Sequence, residues 1–416
     1  MEGSDPRNVV KLLAELVEPA LVATVGPRYF GFVVGGALDA ATGADILTTG
    51  WDQLGFNGAT SPAAAAVEDV VGQWLKEVFG LPASASFGLV TGAQGANTVA
   101  LAAARHRVLS KVGWDVEQRG LTDAPRIRVV ASDERHATID RALRLLGIGA
   151  GAVDAVAAEG NGAIAVADLA KVLDADATAP TIVCLQAGNV NSGACDDLAA
   201  ACEVAHRVGA WVHVDGAFGL WAAASATMRH LVAGIEQADS WAVDGHKWLN
   251  VPYDTGYVFC KDPAAHAASM SYTAAYLVRG TDEIERAPSD YVVESSRRAR
   301  GFATWAALRE LGRQGLEDMI ERCCALARRF GDQLREIEGV QIGNDIVLNQ
   351  VLVSFGSDKR TDNVIIGVQR DGTCWMGGTT WHGRRYMRIS VSNWSTTDAD
   401  VDRSVSAIHK VLAATP

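Results

Sequence analysis

An α/β fold around a mostly parallel β-sheet is the class that the sequence predicts, on three observations. Apolar, β-branched runs alternate with Ala/Leu-rich segments of helical period. The runs are mostly apolar, as strands buried on both faces are. The chain, 416 residues with 49% hydrophobic content, is also long enough to bury a large core and to divide into more than one domain.

The elements follow in order. The opening MEGSDPRNVVKLLAELVEP has early acids and a helical apolar period. In 89-LVTGAQGANTVALAAAR-105 a strand-like start leads through a small-residue turn into a helix. RIRVVAS (126–132), TIVCLQA (181–187) and AWVHVDG (210–216) read as buried strands, separated by helical patterns at 137–147 and 195–209. A charged, irregular stretch, 281–301, precedes one long helical pattern from about Phe302 to Ile337. VQIGNDIVLNQVLVSFG and RRYMRISVSNW then read as strands, and a last helix is expected near 398–413. This predicts an N-terminal segment (1–50), a large domain (51–300) and a smaller C-terminal α+β domain (301–416), with no internal repeat.

Composition excludes several functions. The formal charge is 37 − 49 = −12 and is spread without a basic stripe, so neither nucleic acid nor an anionic membrane is an expected partner. Seven cysteines lack metal-type spacing and read as reduced thiols of a cytoplasmic protein. The N-terminus lacks the pattern of an export signal and no long uncharged apolar run follows, so no membrane span is expected. A small-molecule function fits this balance.

Three segments carry candidate chemistry, each at a strand tip where an α/β sheet opens a crevice. The turn in LVTGAQGAN offers backbone amides at a helix N-terminus to a phosphate, although an ordinary strand-to-helix turn has the same look. In 211-WVHVDGAFGLWA-222, Asp215 is either a cap or an anion for a cationic ring nitrogen. His213 shares its strand face, so an HxD metal pair is conceivable, but no further ligands have diagnostic spacing and no metal is expected. In 239-DSWAVDGHKWLNVP-252, Lys247 is either a snorkelling lysine or an amine made nucleophilic by partial desolvation. Together, phosphate turn, aspartate and a lysine 247 − 215 = 32 residues later match the phosphate, ring nitrogen and aldehyde of pyridoxal 5′-phosphate.

The same residues resemble a family. HVDGAFG resembles the HVDAAYGG, and DSWAVDGHKWLNVPYDTG the DSxxxxxHKWxxxPxxxG, of the group II pyridoxal-phosphate-dependent amino acid decarboxylases, relatives of aromatic L-amino acid and glutamate decarboxylases. The resemblance runs from about Gly26 to the C-terminus. It implies fold type I, aspartate aminotransferase-like, with a seven-stranded sheet, and a homodimer with active sites at the subunit interface.

By resemblance, Lys247 forms the Schiff base with the cofactor, Asp215 partners the ring nitrogen, Ala217 lies against the ring and His136 stacks on its other face. Ala93, Gln94 and His246 match phosphate contacts, and Asn189, with Val190, stands where many relatives have a GTT that contacts the ring, which makes Asn189 a candidate cofactor contact. Tyr276, 276 − 247 = 29 positions beyond the lysine, matches a loop tyrosine that protonates the substrate carbon after carbon dioxide leaves; Tyr272 lies nearby. The segment 26–47 resembles one lining the substrate pocket, with Phe32 and Val33, joined by Phe56, as contacts. Val33, Val34, Gly35 and Gly36 stand where aromatic decarboxylases have bulky residues and a proline, which predicts a wider pocket. Arg28, Arg297, Arg298 and Arg388 are candidate partners for a substrate anion.

The expected activity is therefore decarboxylation of an L-amino acid, an aromatic one among the options, to the amine and carbon dioxide. The alternatives are a pyridoxal-phosphate aldolase, lyase or aminotransferase on the same fold, or a non-catalytic relative.

Overall fold

The structure is a computed structural model and describes residues 2–272 and 286–415. Its main sheet has seven strands: β1 Ser86–Val90, β2 Arg128–Ser132, β3 Val153–Val156, β4 Thr181–Gln186, β5 Trp211–Asp215, β6 Ser240–Asp244 and β7 Gly256–Cys260. They lie in the order β1-β7-β6-β5-β4-β2-β3. Only β7 runs against its neighbours; β6, β5, β4, β2 and β3 pair in parallel. All five residues of β1, β2, β5, β6 and β7 are buried, as uninterrupted apolar strands require of a sheet covered on both faces.

The helix Ala93–Ser110 crosses this sheet over β5, β6 and β7. Its buried face is mostly alanine, including Ala96, Ala100, Ala103 and Ala104, so its backbone lies close to the strands. The helix Pro62–Phe79 has clear boundaries: Ser61 accepts a hydrogen bond from the Ala64 amide, Pro62 opens the first turn and Gly80 closes it at φ 67°.

A second, four-stranded antiparallel sheet has the order β10-β11-β9-β8, with β8 Gln341–Ile342, β9 Gln350–Ser354, β10 Gly377–Trp381 and β11 Arg384–Ser390. The expected long helix spans Gly301–Arg335, but it is not continuous: Gly312 has φ 60° and kinks it. The final helix is Asp398–Ala413, opened by a capping box between Thr397 and Asp400. Strand β10, Gly-Gly-Thr-Thr-Trp, goes unread in the sequence because its glycines mask any β pattern.

At the N-terminus the helix Pro6–Val17 has no buried residue. Val10, Leu13, Leu16 and Leu21 are all more than 60% exposed, an apolar surface without a partner within the chain among the described residues.

Candidate active site

The carboxyl ends of β4, β5 and β6 open into a cavity of about 530 Å³. It is lined by Lys247, Asp215, His136, Ala217, His246 and the turn Thr91–Gln94, together with Phe32, Val33 and Arg388. The phosphate-turn, aspartate and lysine segments of the sequence thus converge on one space.

Asp215 ends β5 and is 7% exposed. Asn97 Nδ2 donates to its Oδ2 at 3.0 Å, Thr138 Oγ1 donates to the same oxygen at 3.4 Å, and the Ala217 amide donates to Oδ1 at 3.2 Å. Asn97 Nδ2 also reaches Thr138 Oγ1 at 3.2 Å, and its Oδ1 lies 2.9 Å from His213 Nε2. His213 Nδ1 lies 3.0 Å from Ser240 Oγ, which accepts a hydrogen bond from Trp211 Nε1. Since the Asn97 amide nitrogen is committed to Asp215, its oxygen accepts, and His213 carries its proton on Nε2. Both nitrogens of His213 are used internally, which removes it as a metal ligand. Complete burial pushes its pKa down to about 4. Among the described residues no group of three or more His, Cys, Asp or Glu is placed to hold a metal ion.

His136 caps the helix Ala137–Leu145: its Nδ1 accepts from the Thr138 amide at 3.3 Å and lies 2.9 Å from Thr138 Oγ1. Burial, opposed by the Asp215 carboxylate, holds it below the ordinary histidine range. His136, Thr138, Asn97, Asp215 and His213 are therefore one hydrogen-bonded chain under the cavity. Asn97 and Thr138 escaped the sequence reading. Their signal was a lone Asn on an otherwise apolar helix face, and a hydroxyl two residues after His136.

Lys247 Nζ is 2.9 Å from Asp244 Oδ2, with side-chain exposures of 22% and 4%. The amine is therefore partly desolvated and also held by a buried carboxylate. His246 Nε2 is 3.4 Å from Asp244 Oδ1, and its Nδ1 accepts from the Thr255 amide at 3.1 Å. Its ring stacks on Tyr253 with centroids 4.3 Å apart. Burial, only partly offset by Asp244, lowers its pKa. The Gln94 side chain turns to the Thr138 carbonyl at 3.3 Å, so the turn presents chiefly backbone to the cavity.

Phe32 and Val33 reach the cavity at φ 57° and 58°, a strained left-handed pair for a bulky and a β-branched residue. Phe32 stacks on Trp375, centroids 5.4 Å apart, and Tyr29 stacks on the same indole at 4.9 Å. Gly35 and Gly36 do not widen the pocket. A Cβ on Gly35 would stand 1.8 Å from the Lys247 carbonyl oxygen, and one on Gly36 would stand 2.8 Å from Asn393 Oδ1. Both glycines exist to let this segment lie against its neighbours.

Two expected contacts fall elsewhere. Phe56 is half-buried and outside the cavity lining, its carbonyl accepting from the Ser289 amide. Asn189 also lies outside the lining: its Nδ2 donates to Glu134 Oε2 at 2.9 Å and its Oδ1 caps its own turn at Asn191 and Ser192. Its neighbours Val190 and Asn191 line the cavity instead. Tyr276 lies outside the described residues. Of the four arginines, Arg28 pairs with Asp400, Arg297 with Glu68 and Arg298 with Asp45. Arg388 lines the cavity, donates to the Val190 carbonyl at 3.1 Å and has no carboxylate partner among the described residues.

This donor set fits pyridoxal 5′-phosphate: an amine, a carboxylate braced by three donors and an amide-rich turn share one cavity. Gly92 keeps the turn open, since a Cβ there would stand 2.9 Å from His246 and 3.0 Å from Asp244 Oδ1.

The comparisons agree with this geometry. Tyrosine/DOPA decarboxylase 2 of Papaver somniferum is 30% identical over 342 residues, 78% of this chain and 63% of the relative. Tryptophan decarboxylase 1 of Oryza sativa subsp. japonica is 27% identical, covering 92% of this chain and 80% of the relative. The chain thus spans under two thirds of the first relative's length. The crystal structure of Oryza sativa TDC with PLP and tryptamine superposes with a TM-score of 0.92 at 25% identity, covering 100% of this chain and 89% of that one. Mouse CSAD shares the fold, with a TM-score of 0.91 at 24% identity over 99% of this chain and 89% of that one. The family model described as the pyridoxal-dependent decarboxylase conserved domain matches residues 5–356, and the chain belongs to that family.

Proposed function

We propose that this protein decarboxylates an aromatic L-amino acid to the amine and carbon dioxide with pyridoxal 5′-phosphate. The observation that carries the reading is the meeting of Lys247, the braced Asp215 and His136 in one cavity. The decarboxylases of tyrosine, DOPA and tryptophan among its relatives, and Phe32 in the cavity wall, stacked on Trp375 behind it, support an aromatic side chain.

The chemistry supplied by the bound cofactor is an electron sink for the bond that breaks. The protein's own residues do the rest. Lys247 provides the amine that would hold the cofactor through its aldehyde. Asp215, its two oxygens fixed by Asn97, Thr138 and Ala217, would hold a proton at the ring nitrogen. Ala217 and His136 would hold the ring, and the Ala93–Gln94 turn with His246 would hold the phosphate. Arg388, free of any carboxylate partner among the described residues, orients a substrate carboxylate. Tyr276 supplies a proton to the substrate carbon. Phe32 and Val33 contact the side chain.

The exposed apolar helix at the N-terminus supports a homodimer, with residues 1–50 as its dimerising segment, 51–300 as the cofactor domain and 301–416 as the small domain. Seven free cysteines support a cytoplasmic location. No helix among the described residues is long and apolar enough to cross a membrane.

The test is to incubate the cofactor-loaded protein with a panel of L-amino acids, identifying products by mass spectrometry while carbon dioxide is measured. An aromatic amine with stoichiometric carbon dioxide is expected. A keto acid, or an aldehyde plus glycine, without carbon dioxide would replace this reading by an aminotransferase or an aldolase.

A further inference from the structure

We propose that Asp244 is a resident anion in the phosphate seat, competing with the cofactor's phosphate and setting this chain's affinity for it below that of a neutral isostere. The inference rests on the cofactor reading above and concerns what that same site does with charge.

The seat is the amide-rich start of the helix Ala93–Ser110, where partial positive charge collects. Asp244 already sits in it. Its Oδ1 accepts from the Ala93 amide at 2.5 Å and lies 3.4 Å from His246 Nε2, while its Oδ2 lies 2.9 Å from Lys247 Nζ. An amide at a helix N-terminus, an imidazole and an ammonium are the groups a phosphate would also seek. The surrounding backbone is shaped to this carboxylate: a Cβ on Gly92 would lie 3.0 Å from Oδ1.

Nor can the carboxylate leave by moving its backbone. The Asp244 amide donates to the Ala217 carbonyl at 2.9 Å, and the Asp244 carbonyl accepts from Trp221 Nε1 at 3.0 Å. Besides His246 and Lys247, the titratable groups that feel it are His136, Tyr253 and Tyr257. Two anions confined to one buried seat repel, and the closeness of Lys247 offsets only part of that repulsion. Asparagine keeps the acceptor for the Ala93 amide and removes the charge.

The experiment compares the full-length chain with D244N and with D244S, a second neutral variant in case one folds poorly. Pyridoxal 5′-phosphate and phosphate-free pyridoxal are titrated into each by absorbance. Both neutral variants should gain at least about tenfold more affinity for the phosphorylated aldehyde than for pyridoxal, whose own change reports only the loss of the Asp244–Lys247 pair. Inorganic phosphate should raise the melting temperature of the cofactor-free variants more than that of wild type.

An equal gain for both aldehydes would place the effect on Lys247 instead of the seat and overturn the proposal. Unchanged or weakened phosphorylated-aldehyde affinity would overturn it too, as would no selective stabilisation by phosphate. Failure of the wild-type chain to bind the cofactor at all would strike the functional reading instead, leaving the phosphate arm to decide the role of Asp244.

Discussion

Replacing Gly35 by alanine should disable the site from outside it. The added Cβ would stand 1.8 Å from the Lys247 carbonyl oxygen, 3.0 Å from its carbon and 3.3 Å from Asn250 Cγ. Carbon atoms of this kind essentially never approach below 3.0 Å, so one side must move by at least 3.0 − 1.8 = 1.2 Å. Neither side moves freely: Asn250 Oδ1 accepts from the Gly36 and Trp394 amides, and its Nδ2 donates to the Ser392 carbonyl. A misplacement of about 1 Å in a catalytic group costs about 100-fold in rate, or about 2.7 kcal/mol of barrier. Strain of this kind adds about 1–3 kcal/mol to the cost of folding. The assay is amine formation beside the absorbance of bound cofactor. Gly43→Ala is the control: Gly43 lies inside the helix Asp39–Trp51 with nothing within 4 Å of its would-be Cβ, so alanine there should be neutral or stabilising by about 0.5–1 kcal/mol. If G35A turned over and bound cofactor as wild type does, the segment could not be packed on the Lys247 backbone, and the argument would fall.

Three further outcomes are expected. Asn97→Ala strands the buried His213 Nε2 donor and strips a hydrogen bond from Asp215, so it should cost about 3 kcal/mol of stability and lower kcat at least tenfold; a calorimetric and kinetic comparison with wild type checks both. Arg388→Met should raise the KM for the amino acid at least about tenfold while leaving cofactor affinity in place, and an unchanged KM would remove Arg388 from the carboxylate's reach. His213 has a folded-state pKa near 4 against an ordinary 6.5, so the unfolded chain binds its proton first. Its contribution is present above pH 6.5 and lost as pH falls toward 4, by about 3 kcal/mol over the full window. His213→Gln should flatten the fall of melting temperature over that range, and an unaltered slope would show that the acid sensitivity lies elsewhere.

Much of this site was legible because its chemistry sits in local patterns. An apolar run ended by Asp215 could only be a buried strand with a carboxylate at its tip, and the residues around Lys247 form a continuous motif. What stayed hidden depends on contacts between distant segments. Gly35 and Gly36 looked like space for a substrate, because a missing side chain in sequence carries no sign of what fills it; the Lys247 carbonyl and Asn393 do. Asn189 looked like a ring contact by position, yet Glu134, 55 residues away, claims its amide. Arg28, Arg297 and Arg298 were indistinguishable from Arg388 until their acids were placed.

Asp244 shows why strand direction decides such cases. The turn at Ala93 follows β1, and Asp244 ends β6, with one strand between them in the sheet. That strand, β7, is antiparallel to both, so β1 and β6 run the same way and their carboxyl ends reach the same edge. Gly256 opens β7 and pairs with Val90 on one side and Asp244 on the other. A Cβ on Gly256 would stand 2.4 Å from the Gly92 Cα, so glycine there lets the helix start close over the gap. Had β7 run parallel to its neighbours, its own carboxyl end would have projected another loop between the Ala93 amide and Asp244. The one reversed strand in a parallel sheet is therefore what brings a helix N-terminus against a buried carboxylate, and it ties the charge in the phosphate seat to the topology of the fold.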